Sequence, residues 1–183
     1  MSEVRCPDPT AGEAMVSAIR ETMRIRDTLG GVFEVVALAL PPGLGSHVHW
    51  ERRLDARLML AVGSIQAVKG VEIGPAFENA TRLGTEVHDE IVLEDGQLSR
   101  WTNHAGGFEG GITTGEPIVV RAAMKPISTT LMPLRSVDLA TGQEAPTQYE
   151  RSDICAVPRA SVVGEAMVAF ALSDALLEKL GGD

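Results

Sequence analysis

The chain has 183 residues, enough for one ordinary domain with a real hydrophobic core. A net charge of −9 and an aromatic content of 4% exclude a general nucleic-acid surface, which needs cations for the phosphates and rings for the bases. Apolar residues make up 44%, yet no segment reads as a membrane span and no apolar stretch follows Met1-Ser2-Glu3-Val4-Arg5, so a cytoplasmic protein is expected.

Residues 8–28 read as a helix, with Pro9 just outside it, Thr10 and Glu13 as a capping box, and Ala11, Ala14, Ala18, Ile19 and Met23 as its apolar stripe. Gly30-Gly31 stop it, and Val32 to Leu40 is β-branched and apolar, hence a strand. Residues 41–46 carry too much proline and glycine to be anything but a loop. A second helix is expected over 51–67 from the spacing of Leu54, Leu58, Ala61, Val62 and Ile65, with Gly70 breaking it. Val71-Glu72-Ile73 reads as a short strand, and Pro75 opens a short helix to about Arg82.

Ile91 to Leu93 and Leu98 to Trp101 flank Glu94-Asp95-Gly96-Gln97, a hairpin signal because Asp-Gly accepts the positive φ of a tight turn. A glycine-rich loop at 105–111 leads to a strand over Ile118 to Met124. Residues 127–150 look irregular, with one short strand at Arg135 to Leu139. The last helix is expected from Ala160 to Lys179, buried along Val163, Ala166, Met167, Phe170 and Leu177 and ended by Gly181-Gly182. No regular βαβ alternation appears, so the expected class is α+β, in one domain spanning 1–183.

Three segments could carry chemistry. The loop 105–111 lets backbone N–H groups approach a ligand closely, or it is simply a long hairpin connection; it matches neither a Walker nor a dinucleotide pattern. Arg121 to Thr129 brings a cation, a proline-stiffened turn and two hydroxyls together, which suits a phosphate but also suits an ordinary strand end. Arg151-Ser152-Asp153 could be a surface pair or, in a dry pocket, an anion site with a proton acceptor. His47 and His49 with His88-Asp89-Glu90 would make a weak zinc set, and loop packing accounts for them better. Cys6 and Cys155 match no metal spacing and read as two reduced thiols.

Taken in order, the segments resemble one family. Asp27-Thr28-Leu29-Gly30-Gly31, Gly43-Leu44-Gly45-Ser46 with His49-Trp50, Leu54 to Leu58 and Ile65 to Gly74 come first. His88-Asp89, Thr102-Asn103, Ala105-Gly106-Gly107, Glu109-Gly110-Gly111 and Gly115-Glu116 follow, then Arg121 to Thr129 and Arg151-Ser152-Asp153 with Glu165-Ala166. The chain is similar along nearly all its length to about the C-terminal half of chorismate synthase.

The resemblance implies an α+β sandwich with helices between antiparallel sheets, to which this chain supplies about one helix layer and one sheet. It implies a homotetramer without nucleic-acid or membrane partners. The implied reaction eliminates phosphate from 5-enolpyruvylshikimate-3-phosphate to give chorismate, with reduced FMN and no net redox change. The residues matching flavin contacts are Gln66, Ala67, Gly110, Lys125, Pro126, Ile127, Ser128, Thr129 and Arg151. Arg151 also matches a substrate-proximal residue, and Asp153 matches the aspartate that helps proton transfer at the flavin, so these two are the catalytic candidates. His104 and Thr114 stand where the family usually reads Arg and Asn, and Ile154 is unusual after Arg-Ser-Asp. The family's Ser-His-Gly and Arg-Ser-Ser segments, with two catalytic histidines and most substrate arginines, have no counterpart here. The expectation is an enzyme piece inactive by itself; the alternative is a flavin-binding or assembly domain without chemistry.

Overall fold

The computed structural model describes residues 2–181. Helix α1 spans Pro9–Arg24, and its cap is Asp8, whose Oδ1 accepts from Ala11 N at 2.8 Å. The expected Thr10–Glu13 box does not form, because Pro9 at the first helical position starts the helix two residues earlier. Strand β1 is Gly31–Ala37. The expected helix over 51–67 divides into a 3-10 turn at Trp50–Arg52 and helix α2, Leu54–Gly63.

Strand β2, Val68–Ile73, includes Gly70, which sits beside a register shift instead of outside the sheet. Single helical turns α3 (Ala76–Asn79) and α4 (Gly84–Val87) follow; the second is absent from the sequence reading. Strands β3 (Ile91–Glu94) and β4 (Gln97–Arg100) form the expected hairpin, with φ of 52° at Asp95 and 77° at Gly96. Strands β5 (Phe108–Glu109) and β6 (Ile112–Thr113) make a small hairpin inside the glycine loop. After β7, Ile118–Met124, the short strand expected at Arg135 to Leu139 forms as β8 (Arg135–Val137), and it pairs with β9 (Glu144–Pro146), which the sequence reading left irregular. Helix α5 spans Val157–Leu180 and ends on left-handed Gly181, while the expected second glycine of that stop, Gly182, lies outside the described residues.

The main sheet has the order β1-β7-β2, and every pairing between named strands is antiparallel, as an α+β class requires. One face carries Phe33, Val35, Ile118, Val120, Ala122 and Met124 against Leu54, Leu58 and Val62 of α2 and Val168, Ala171, Leu172 and Ala175 of α5. The other face holds Arg121 between Glu72 at 2.8 Å and Glu34 at 3.6 Å.

The last helix turns a different side inward from the expected one. Ala160, Gly164, Val168, Ala171, Leu172 and Ala175 are buried, while Val163, Phe170 and Leu177 are exposed. The helix is apolar on both sides, so periodicity alone does not choose between them. It is also long and apolar enough to cross a membrane by length and composition, with a mean hydropathy of 1.6, a run the sequence reading did not register. Here its small-residue face packs on the sheet, and Gly164 is what lets it approach: a Cβ there would lie 2.4 Å from a ring carbon of Phe33.

Gly164→Ala therefore tests this packing. Helix propensity favours alanine by up to ~1 kcal/mol, whereas overpacking costs ~1–3 kcal/mol. The urea midpoint should fall by a net ~1–2 kcal/mol equivalent, and Phe33→Leu should recover part of the loss in the double variant. A midpoint that rises in Gly164→Ala would mean the ring moves freely.

Candidate functional site

The two ends of β7 organise two separate clusters. At the Met124 end, the Lys125 amide donates to Ala67 O at 2.9 Å, so the residue before β2 and the residue after β7 are locked together. Ala67 adopts a φ of 66°, a left-handed conformation that turns the chain sharply into β2. The Thr28 hydroxyl donates to Ile127 O at 2.7 Å, and Leu29 N donates to Ile154 O at 2.8 Å. The Thr129 hydroxyl meets that of Ser152 at 2.9 Å. Three stretches far apart in sequence, 28–29, 125–129 and 151–155, thus converge beside the start of α5.

Of the expected site residues, Gln66, Lys125, Pro126, Ser128 and Arg151 are exposed, and Ala67, Ile127, Thr129 and Asp153 are half-buried. Asp153 accepts from Arg159 at 2.7 Å. Lys125 and Arg151 make no ion pair among the described residues, although the chain carries an excess of acids. Unpaired cations in an acidic protein are suited to holding an anion.

Gly110 does not join them. It occupies the tip of the β5–β6 turn with a φ of 59°, next to Gly111, whose carbonyl accepts from Leu54 N at 3.0 Å. That places it at the opposite end of α2 and of β7. Six steps along the seven residues of β7, at about 3.3 Å each, separate the two ends by roughly 20 Å.

The glycine loop is held by a residue the sequence reading mentions only beside a histidine. The Asp89 carboxylate accepts from the Thr102 hydroxyl at 2.6 Å, His104 N at 2.7 Å and Ala105 N at 2.9 Å. Asn103 continues the brace, donating to Pro117 O and accepting from Gly107 N, both at 2.8 Å. Gly106 backs directly onto β2: a Cβ there would lie 2.4 Å from Gly74 N. The Asp89 contacts span 13 to 16 residues, so only the ordered motif His88-Asp89 with Thr102-Asn103 points to them.

His47 and His49 lie on a surface loop, with His49 tilted against Trp50 at 5.6 Å. Among the described residues no group of three or more His, Cys, Asp or Glu is placed to hold a metal. Cys6 and Cys155 are free thiols.

An antiparallel α+β layer with two cations left without ion pairs near one end of β7 defines only a class, and the comparisons narrow it. A family model described as chorismate synthase matches residues 1–177, and the chain belongs to that family. The chain is 60% identical over 182 residues to chorismate synthase of Rubrobacter xylanophilus and 58% identical over 183 to that of Aquifex aeolicus, matching all of this chain in both cases. It covers 47% and 46% of those proteins, so it spans about half the length of the curated relatives it matches. A crystal structure of chorismate synthase superposes over the whole chain with a TM-score of 0.82 and 52% identity, again using 47% of its own length.

Burial pushes the Asp89 carboxyl up, but the hydrogen bonds from Thr102, Ala105 and His104 outweigh it and hold the group below its ordinary value. A lowered folded pKa means the stabilisation is complete above the unfolded value near 4 and is lost as pH falls through the folded one. Asp89→Asn should thus cost about 1–3 kcal/mol at pH 7, since an amide nitrogen would face backbone donors. Urea unfolding should show the gap between variant and parent closing below about pH 4; a gap independent of pH would contradict this role.

Proposed function

We propose that this chain supplies the flavin-phosphate corner of a chorismate synthase site and is inactive without the remaining half of the enzyme. The reaction is elimination of phosphate from 5-enolpyruvylshikimate-3-phosphate to give chorismate, in the cytoplasm. One observation carries the reading: 125–129 and 151–153 converge with Ala67 around two unpaired cations, at the positions the family resemblance marks for FMN.

In this reading Lys125 holds the FMN phosphate by charge, with the Ser128 hydroxyl as a further donor and the Thr129 hydroxyl joining once it turns from Ser152. Gln66 and Ala67 line the approach to it, and Pro126 and Ile127 keep the turn rigid. Arg151 attracts the anionic substrate, and Asp153 accepts the ring proton once Arg159 moves aside. Reduced FMN, when bound, supplies an electron-rich ring beside the substrate. Gly110 lies at the other end of β7 from Lys125, roughly 20 Å along the strand. We assign the Gly110 turn to the flavin site of a second copy, in keeping with a homotetramer.

The alternative of a flavin-binding or assembly domain shares every one of these contacts and differs only in lacking turnover. No feature of the fold favours it over a half-enzyme, and 60% identity to a named chorismate synthase weighs against it.

Two measurements test the reading. Lys125→Ala should weaken FMN binding by ~1–3 kcal/mol, the range for a lost charged hydrogen bond, in a flavin fluorescence titration. Equal affinity in the variant would place the phosphate elsewhere. The purified chain with reduced FMN should release no phosphate from the substrate, because general acid assistance worth ~10²–10⁴ in rate is missing along with substrate positioning. Sustained turnover by the chain alone would show that Asp153 and Arg151 suffice.

A further inference from the structure

The main chain from Ile127 to Thr130 lies in neither a helix nor a strand, and none of its amides has a hydrogen-bond acceptor among the described residues. Its carbonyls are held instead, by hydroxyls from distant segments. The Thr28 hydroxyl donates to Ile127 O at 2.7 Å, across 99 residues of sequence. The Ser152 hydroxyl accepts from the Thr129 hydroxyl at 2.9 Å and donates to Thr129 O at 3.2 Å. Thr28 is itself set by Asp27, whose Oδ1 accepts from Thr28 N at 2.8 Å. Gly30 keeps this stretch flush against the turn: a Cβ there would lie 2.4 Å from Met124 O and 2.8 Å from Pro126 N.

A trans peptide is planar, with its C=O and the following N–H on opposite sides. Every peptide bond among the described residues is trans. Fixing Ile127 O on Thr28 therefore turns the Ser128 N–H away from Thr28. Fixing Thr129 O on Ser152 likewise turns the Thr130 N–H away from Ser152. Ser128 is exposed and Thr130 half-buried, so both donors can be reached. Unpaired amides in an irregular stretch form an anion cradle, and here the Lys125 charge stands beside them. Donors on a main chain already held lose little freedom when the anion arrives.

We propose that Thr28 and Ser152 are positioning residues of the flavin-phosphate corner. Without touching the cofactor, they fix the 127–130 main chain so that the Ser128 and Thr130 amides meet the phosphate of FMN. The inference rests on the flavin-phosphate reading above. When the Thr129 hydroxyl turns to the phosphate, Ser152 keeps its own bond to Thr129 O, and the main chain stays in place. Removing either hydroxyl frees a peptide to rotate, so the phosphate loses an oriented donor while the ring and ribityl contacts of the flavin stay as they were.

The test titrates the purified chain with FMN and with riboflavin, which has the same ring and ribityl chain but no phosphate, and follows flavin fluorescence. The parent should hold FMN more tightly than riboflavin. Thr28→Val, which keeps the shape and removes the hydroxyl, and Ser152→Ala should each weaken FMN about three- to tenfold, the equivalent of one net hydrogen bond, and leave riboflavin unchanged. Thr28→Ser should restore FMN affinity to within about twofold of the parent, because the hydroxyl returns. Should Thr28→Val lose its far-UV spectrum, amide NMR of the parent decides: FMN, and not riboflavin, should move the Ser128 and Thr130 amide protons downfield. A parent that prefers FMN overturns only this inference if both variants keep that preference or weaken both flavins alike, as a merely loosened loop would. No recovery in Thr28→Ser, or unmoved amides at 128 and 130, does the same. Equal binding of FMN and riboflavin by the parent overturns the phosphate corner itself, and the positioning role with it.

Discussion

Strand β7 has a hydrogen-bonded neighbour along both edges, and its register decides where each end of the chain's chemistry falls. With Ile118, Val120, Ala122 and Met124 facing the helices, Arg121 faces out and is held between Glu34 and Glu72. A slip of one residue would expose those four apolar side chains and drive Arg121 into the core, where an unpaired cation costs several kcal/mol. The ion pairs on the outer face and the apolar set on the inner face therefore specify the same alignment. Given that alignment, Lys125 must emerge beside Ala67, and the glycine loop must sit at the far end against Gly74.

The two ends use different means to stay rigid. At the far end, the backbone of the glycine loop is pinned by two side chains, Asp89 and Asn103, and by contacts too close for any residue but glycine at 106. At the near end, the Thr28 hydroxyl on Ile127 O and the Leu29 amide on Ile154 O hold the main chain while leaving Lys125 and Arg151 without ion-pair partners among the described residues. A rigid main chain with free cations loses little entropy when an anion binds. Among the described residues one layer of helices covers the sheet, which leaves most of α1 and the outer side of α5 exposed.

Elements whose cause is local were legible in the sequence. The β3–β4 hairpin follows from Asp95-Gly96 alone, and β7 from its β-branched run. The start of α1 was misjudged because Asp8 and Thr10 are both good caps two residues apart, and the proline between them decides. The buried face of α5 could not be read, because small residues on one side and larger apolar ones on the other give nearly the same periodicity. Larger side chains are usually buried, but here Gly164 and the alanines face the sheet because the helix must come close to Phe33. The site residues were named through ordered motifs; that Gly110 lies apart from Lys125 needed the topology, since fifteen residues separate them in sequence whichever way the strand between runs. Asp89 was visible only as part of a motif, because its three partners lie across two turns of chain.

The central claim, that one corner of a single chain gathers the flavin-phosphate contacts, is most directly tested by amide NMR during an FMN titration. Shifts should concentrate at 66–67, 125–129 and 151–153 and leave the amides at 47–49 and at the Gly110 turn in place while the chain is monomeric. Shifts centred on the Gly110 turn, with 125–129 unmoved, would contradict it.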